Sequence, residues 1–216
     1  MKLFVIICTY NEKNTILEIF KRVKEASLPP GWEKEIIFVD NCSTDGTREL
    51  LAQVENENNT RVIYQTGNLG KGHSVRKAIP FCTGEFVIPQ DADLEYDPAD
   101  YCNLITHALK EQLDVVIGSR VSKGVNYHVY KINEWGIALL TSFTNLLFHT
   151  HYTDVATCYK LMRTSKLKEL KLKSNNFNLD FELCAKFAKH DWRTGEVNIH
   201  YVPRTFKEGR KMRPLT

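Results

Sequence analysis

Short apolar runs alternate with helical patterns through the first half of this chain, and that alternation leaves few folds open. Residues 3–9 form an apolar run, and residues 13–26 follow with Ile16, Ile19, Phe20 and Val23 at helical spacing. Residues 35–39 make a second run closed by Asp40, after which Asp45-Gly46-Thr47 opens a helix over 48–56. Residues 61–64 and 86–89 read as further strands with a helix near 72–79 between them, then 101–111 as helix and 114–117 as strand. This order predicts an α/β fold, a mostly parallel central sheet with helices on both faces. Beyond Gly118 the pattern loosens. At 216 residues, with no linker, repeat or low-complexity block, the chain is expected to form one domain over 1–216.

In open α/β sheets ligands lie beyond the carboxyl ends of the strands. Three polar clusters fall in such places: Thr9-Tyr10-Asn11-Glu12, Asp40-Asn41, and Asp91-Ala92-Asp93 with Glu95. The last puts carboxylates from Asp91, Asp93 and Glu95 close together, where they repel one another unless a cation joins them. Hard oxygen ligands of this kind suit Mg²⁺ or Mn²⁺ shared with substrate phosphates. A lone Asp-x-Asp reads equally as a polar turn. Three such clusters meeting at one crevice favour a site.

Composition narrows the partners. A net charge of +3 does not by itself imply nucleic acid, and none is expected as a partner. Arg204, Lys207, Arg210, Lys211 and Arg213 form a basic C-terminal cluster that suits phosphates, on a small substrate or a membrane surface, or is a solvated tail. The six cysteines lack zinc or CxxC spacing and read as buried free thiols of a reducing compartment. Residues 1–8 lack the features of a signal peptide, and the uncharged stretch 135–153 holds too many Thr, Ser, Asn and His for a spanning helix. The expectation is a cytoplasmic protein, with peripheral contact at the cytoplasmic membrane face as an option. Residues 135–148 are rich in Leu and Phe and read either as an interfacial helix near a lipid or as a core helix or dimer face. The packing reading is preferred because the stretch lacks a basic face of its own. Gly67-Asn68-Leu69-Gly70-Lys71-Gly72 has the wrong spacing for a P-loop, and no G-x-G-x-x-G follows the first strand. It reads as a tight turn whose backbone and Lys71 approach an anion, or as a plain turn.

Several ordered segments match a family. Cys8-Thr9-Tyr10-Asn11-Glu12, Val39-Asp40-Asn41-Cys42-Ser43-Thr44-Asp45-Gly46-Thr47, Asn68-Leu69-Gly70-Lys71-Gly72 and Asp91-Ala92-Asp93 stand in the order typical of family 2 glycosyltransferases. Gly118-Ser119-Arg120, Asp154-Val155-Ala156-Thr157-Cys158-Tyr159-Lys160 and the segment from Pro203 to Lys211 continue it. The chain thus resembles that family, with its GT-A nucleotide-sugar fold, and within it looks most like the polyprenyl-phosphate (dolichyl or undecaprenyl) sugar synthases. The resemblance implies a nucleotide-binding part at about 1–120 and an acceptor-binding part at about 121–216. Thr9, Tyr10, Glu12 and Asp40 would serve the nucleoside, and Asp91, Asp93 and Glu95 a Mg²⁺ or Mn²⁺ ion against the donor diphosphate. Lys71, Arg120, Arg204 and Lys211 would meet phosphates. Glu95 stands where mannose synthases usually carry Gln, and Asn41 where Asp is common.

The implied reaction moves a sugar, with inversion, from a GDP- or UDP-sugar to an acceptor, a polyprenyl phosphate first among them. Asp91, Asp93, Asp154 and Arg120 are the expected catalytic residues. A phosphate acceptor needs no general base, whereas a sugar hydroxyl in surface-polysaccharide synthesis needs a carboxylate to take its proton, and Asp154 is the candidate. Asp154 also reads as a helix cap. A nucleotidyltransferase is disfavoured because Thr9-Tyr10-Asn11-Glu12 replaces a Gly-rich basic loop after the first strand. A non-catalytic nucleotide-sugar binding subunit and self-association complete the alternatives.

Overall fold

The computed structural model describes residues 1–121 and 131–204, with residues 131–134 described by backbone alone. One seven-stranded sheet runs through the molecule in the order β3-β2-β1-β4-β6-β5-β7. Its strands are β1 (Lys2–Thr9), β2 (Glu33–Asp40), β3 (Thr60–Tyr64), β4 (Phe86–Asp91), β5 (Val115–Ser119), β6 (Lys160–Arg163) and β7 (Thr194–Asn198). Pairing is parallel except for β6, which lies antiparallel between β4 and β5.

The pleat sends alternate residues of β1 into two cores. Leu3, Val5 and Ile7 join one cluster, and Phe4 and Ile6 the other. Helices α1 (Ile16–Glu25) and α4 (Tyr101–Lys110) cover the first, through Ile16, Ile19, Phe20 and Val23 and through Tyr101, Leu104, Ile105 and Ala108. Helices α3 (Lys71–Ala78) and α7 (Leu179–Lys189) cover the second, through Val75 and Ala78 and through Leu179, Leu183, Cys184 and Phe187. Each buried Val, Leu, Ile or Phe among them contributes about 1.5–3 kcal/mol. Helices α2 (Thr47–Val54) and α6 (Thr164–Glu169) follow β2 and β6, completing the expected fold with a helix layer on each face.

Register fixes the crevice. Thr9 pairs with Asp40, Asp40 with Tyr64, and Cys8 with Asp91, so the polar strand ends share one edge. β4 extends two residues beyond the run read from the sequence, through Pro89 to Asp91. Proline is tolerated there because pairing with β6 stops at Phe86 and Val87, and the Pro89 carbonyl accepts from the Cys158 thiol instead.

Helix α5 (Lys131–Phe148) departs from the core-helix expectation. Trp135, Leu139, Phe143 and Leu146 are 77%, 72%, 56% and 73% exposed, while Thr141 and Thr144 are buried. Asn145 explains the orientation: its Nδ2 donates to the Tyr152 carbonyl at 2.8 Å and its Oδ1 accepts from the Tyr152 N–H at 2.9 Å. Hydrogen bonds hold the polar side inward, so the apolar side faces out and α5 is not a core helix. Among the described residues no helix is long and apolar enough to cross a membrane.

Candidate active site

The loops after β1 and β2 lace together. Asn11 takes a left-handed φ of 52°, its N–H donates to Ser43 Oγ at 2.9 Å, and its Oδ1 accepts from the Thr44 N–H at 2.8 Å. The Glu12 N–H donates to Thr47 Oγ1 at 3.0 Å. Asp40 is wholly buried and folds its own turn, accepting from the N–H groups of Cys42 at 3.1 Å and Ser43 at 3.2 Å and from Arg48 Nε at 2.6 Å. Asn41 clamps the glycine-rich loop through Asn68 Oδ1 at 2.6 Å and the Leu69 N–H at 2.8 Å. Thr9 is buried, its hydroxyl without a hydrogen-bond partner among the described residues, and Tyr10 stands partly exposed at the mouth.

Two glycines of that loop are demanded by close approach. A Cβ on Gly70, whose φ is +89°, would stand 2.3 Å from the Asn175 carbonyl oxygen, and one on Gly72 2.2 Å from that of Ser174. The tight turn read from the sequence is present, but it seats the start of α3 on residues 174–175. Lys71 turns inward: its ammonium lies 2.9 Å from Asp91 and 3.5 Å from Asp180. Burial works against its charge, and Asp180 and Asp91 outweigh that and hold it above its ordinary range. Asp180 also stands 3.7 Å from Lys160, a fully buried ammonium that donates to the Val155 carbonyl at 3.1 Å. Sequence reasoning missed Asp180 as a partner in this chain of charges. The signal was an acidic residue in the first turn of a helix whose next turns are apolar.

The acidic segment after β4 does not gather as one ligand set. Leu94 adopts a left-handed φ of 65° between Asp93 and Glu95, and Asp91 is paired separately with Lys71. Arg204 meets them from the segment after β7, 3.3 Å from Asp93 and 3.5 Å from Glu95, and it reaches Glu12 at 3.5 Å. Tyr201 donates its hydroxyl to Glu95 at 2.5 Å. Lys71 thus serves Asp91, while the single Arg204 is shared among Glu12, Asp93 and Glu95. Among the described residues no group of three or more His, Cys, Asp or Glu side chains is placed to hold a metal ion.

Arg120 and Asp154 form a buried two-point pair, with Nε and Nη2 at 2.7 and 2.9 Å from the carboxylate oxygens. Burial alone would raise the Asp154 carboxyl, but the Arg120 charge and hydrogen bonds hold it below the usual carboxylate range. The Arg120 guanidinium also lies 5.2 Å over the Tyr201 ring, so the pair connects through Tyr201 to Glu95. Strand ends, acidic segment and Arg120–Asp154 pair therefore make one connected site. Lys211 lies outside the described residues.

A mostly parallel sheet with one antiparallel strand, carrying an acidic segment at the carboxyl end of a central strand, is the GT-A class of nucleotide-sugar fold. Glucosyl-3-phosphoglycerate synthase from Mycobacterium tuberculosis, solved with Mn²⁺, UDP and phosphoglyceric acid, superposes with a TM-score of 0.70 at 19% identity, covering 96% of this chain and 72% of that one. The mannosyltransferase PcManGT from Pyrobaculum calidifontis, solved with GDP-Man and Mn²⁺, gives 0.67 at 20% identity, covering 94% and 57%. The glycosyl transferase family 2 model matches residues 4–171, and this chain belongs to that family. Relatives include the glycosyltransferase AglJ of Haloferax volcanii, 26% identical over 91% of this chain and 61% of its own length. The dolichol-phosphate mannosyltransferase of Pyrococcus furiosus is 36% identical over 57% of this chain and 34% of its own. The dodecaprenyl-phosphate galacturonate synthase of Rhizobium johnstonii is 27% identical over 80% and 51%. The chain spans about half the length of these curated relatives.

Proposed function

We propose that this chain is an inverting glycosyltransferase that moves a sugar from a GDP- or UDP-sugar to a polyprenyl phosphate. The Arg120–Asp154 pair carries the choice of acceptor. A hydroxyl acceptor needs a base with an open lone pair and a pKa near the working pH. Asp154 has both oxygens engaged by Arg120 and is held below the usual carboxylate range, so it is poorly suited to that task. A lipid phosphate is already anionic and needs cations to position it, not a base. The names of the Pyrococcus and Rhizobium relatives point the same way.

The oxygen donors of Asp91, Asp93 and Glu95 are of the kind that Mg²⁺ or Mn²⁺ takes. Burial, then the nearby charges of Asp91 and Glu95, push the Asp93 carboxyl up to about 7, the mark of a cluster short of positive charge. Asp93 and Glu95, with Asp91 beside them, would hold the ion, which supplies Lewis-acid neutralisation of the departing diphosphate. Tyr10 and Glu12 serve the nucleoside directly. Asp40 serves it by folding the 42–44 turn, and Thr9 offers its unpaired hydroxyl. Lys71 acts through Asp91, and Arg204 and Lys211 meet phosphates. The uncharged outer face of α5 supplies peripheral contact with the cytoplasmic membrane face, where a lipid acceptor resides.

The test offers the purified chain labelled GDP- and UDP-sugars with Mn²⁺ and, in parallel, polyprenyl phosphate, the dephosphorylated polyprenol and oligosaccharides. Transfer to the lipid phosphate alone is expected. Transfer only to hydroxyl acceptors would overturn the acceptor choice. Nucleotide-sugar binding without transfer to any acceptor would establish a binding subunit instead.

A further inference from the structure

Glu12 and the Asp93–Glu95 segment come from two different strand ends, and one side chain meets them all. Arg204 stands 3.5 Å from Glu12, 3.3 Å from Asp93 and 3.5 Å from Glu95. Charge-assisted N–H···O contacts are ordinarily about 2.7–2.9 Å, the range Arg120 achieves with Asp154 at 2.7 and 2.9 Å. Arg204 achieves it with none of its three carboxylates, and among the described residues its buried Nε makes no hydrogen bond. One guanidinium is divided among three anions and optimal for none. Its backbone is better held: the Arg204 N–H donates to Glu95 Oε1 at 3.1 Å, and Tyr201, three positions earlier, donates to the other oxygen at 2.5 Å.

We propose that Arg204, which also touches Glu12, is a built-in counter-ion that competes with the divalent cation for Asp93 and Glu95. This rests on the metal-dependent reading above. A small divalent ion brings twice the charge closer to the same oxygens, and like-charge repulsion then disfavours a guanidinium 3.3 Å from Asp93. A diphosphate offers the released planar fork a two-point partner. The tethered backbone keeps it within reach. Metal alone must therefore displace Arg204 with no compensation, whereas metal with a nucleoside diphosphate gives the guanidinium a new partner. The two ligands should bind with positive coupling, each favouring the other by the same factor.

The experiment measures binding, not turnover: Mn²⁺ uptake by calorimetry and by loss of the free-ion paramagnetic resonance signal, with and without UDP or GDP. Wild type is compared with Arg204→Ala, Arg204→Gln and Arg204→Lys, each checked by thermal unfolding. Arg204→Ala and Arg204→Gln are expected to bind Mn²⁺ alone about tenfold more tightly than wild type, equivalent to about 1.4 kcal/mol. Arg204→Lys should fall between, and the nucleotide should raise Mn²⁺ affinity more in wild type than in the neutral variants. If Arg204→Ala does not fold, Arg204→Gln carries the comparison. Neutral variants that fold and bind Mn²⁺ alone no better than wild type, while wild type binds Mn²⁺ with nucleotide, overturn the competition and leave the proposed function standing. Failure of wild type and variants alike to bind Mn²⁺ with either nucleotide overturns the metal reading, and the competition with it.

Discussion

Arg120 holds Asp154 at three points: two guanidinium nitrogens at 2.7 and 2.9 Å and its own backbone N–H at 3.2 Å. Both side chains are buried, so removing one partner strands the other's charge in the interior. Asp154→Asn is expected to lose about 3–5 kcal/mol in urea unfolding. Replacing both with apolar residues of similar volume should recover most of it, because no orphan charge remains. A depressed carboxylate contributes stability above its unfolded pKa of about 3.9, lost as pH falls through the lower folded value. Wild-type stability should therefore drop on acidification below about pH 4, and the doubly apolar variant should show a shallower drop.

Asp93 has the opposite sign. Its carboxyl is pushed from 3.8 to about 7, first by burial and then by Asp91 and Glu95. A raised carboxyl contributes stability below its unfolded value, lost as pH rises through the folded one. In metal-free buffer, Asp93→Asn should gain stability relative to wild type as pH climbs from about 4 to 8. Melting temperatures of the two proteins across that range check it, and a constant difference would refute it.

The outer face of α5 predicts vesicle binding without a stability change. Leu139 and Leu146 are 72% and 73% exposed, so Leu139→Glu with Leu146→Glu should leave the melting temperature nearly unaltered. Co-sedimentation with anionic vesicles should fall sharply in that variant. If vesicle binding is unaffected and a dimer seen by light scattering disappears, the face belongs to a second copy.

Gly72→Ala tests the seat of α3. The added Cβ would lie 2.2 Å from the Ser174 carbonyl oxygen, which is backbone and cannot simply rotate away. The expected cost is about 1–3 kcal/mol from overpacking, measured by urea unfolding. Gly136→Ala, with nothing within 4 Å, is the control and should not destabilise.

The first half of the fold was legible because its signals are local. Leu3, Val5 and Ile7 alternate with Phe4 and Ile6, and Ile16, Ile19, Phe20 and Val23 recur at helical spacing. β6 was not legible: its four residues include Lys160 and Arg163, and they become a strand by pairing with β4 and β5. That α5 is not a core helix was hidden for a related reason. Its apolar residues look like a core stripe, but Asn145 and the buried threonines fix its opposite side against the protein.

By itself the sequence determined the parallel first half of the sheet, its helical layers and the strand ends at which Thr9, Asp40 and Asp91 stand, since periodicity and short connections follow from neighbouring residues. The tertiary structure alone decided which charge meets which. Arg204 reaches Glu12 across 192 positions, and Lys71 reaches Asp180 across 109. Such pairs depend on how β7 and α7 pack against the sheet, and on burial that makes an unmatched charge costly. The acidic residues were written plainly in the chain; the cations that hold them were set by packing.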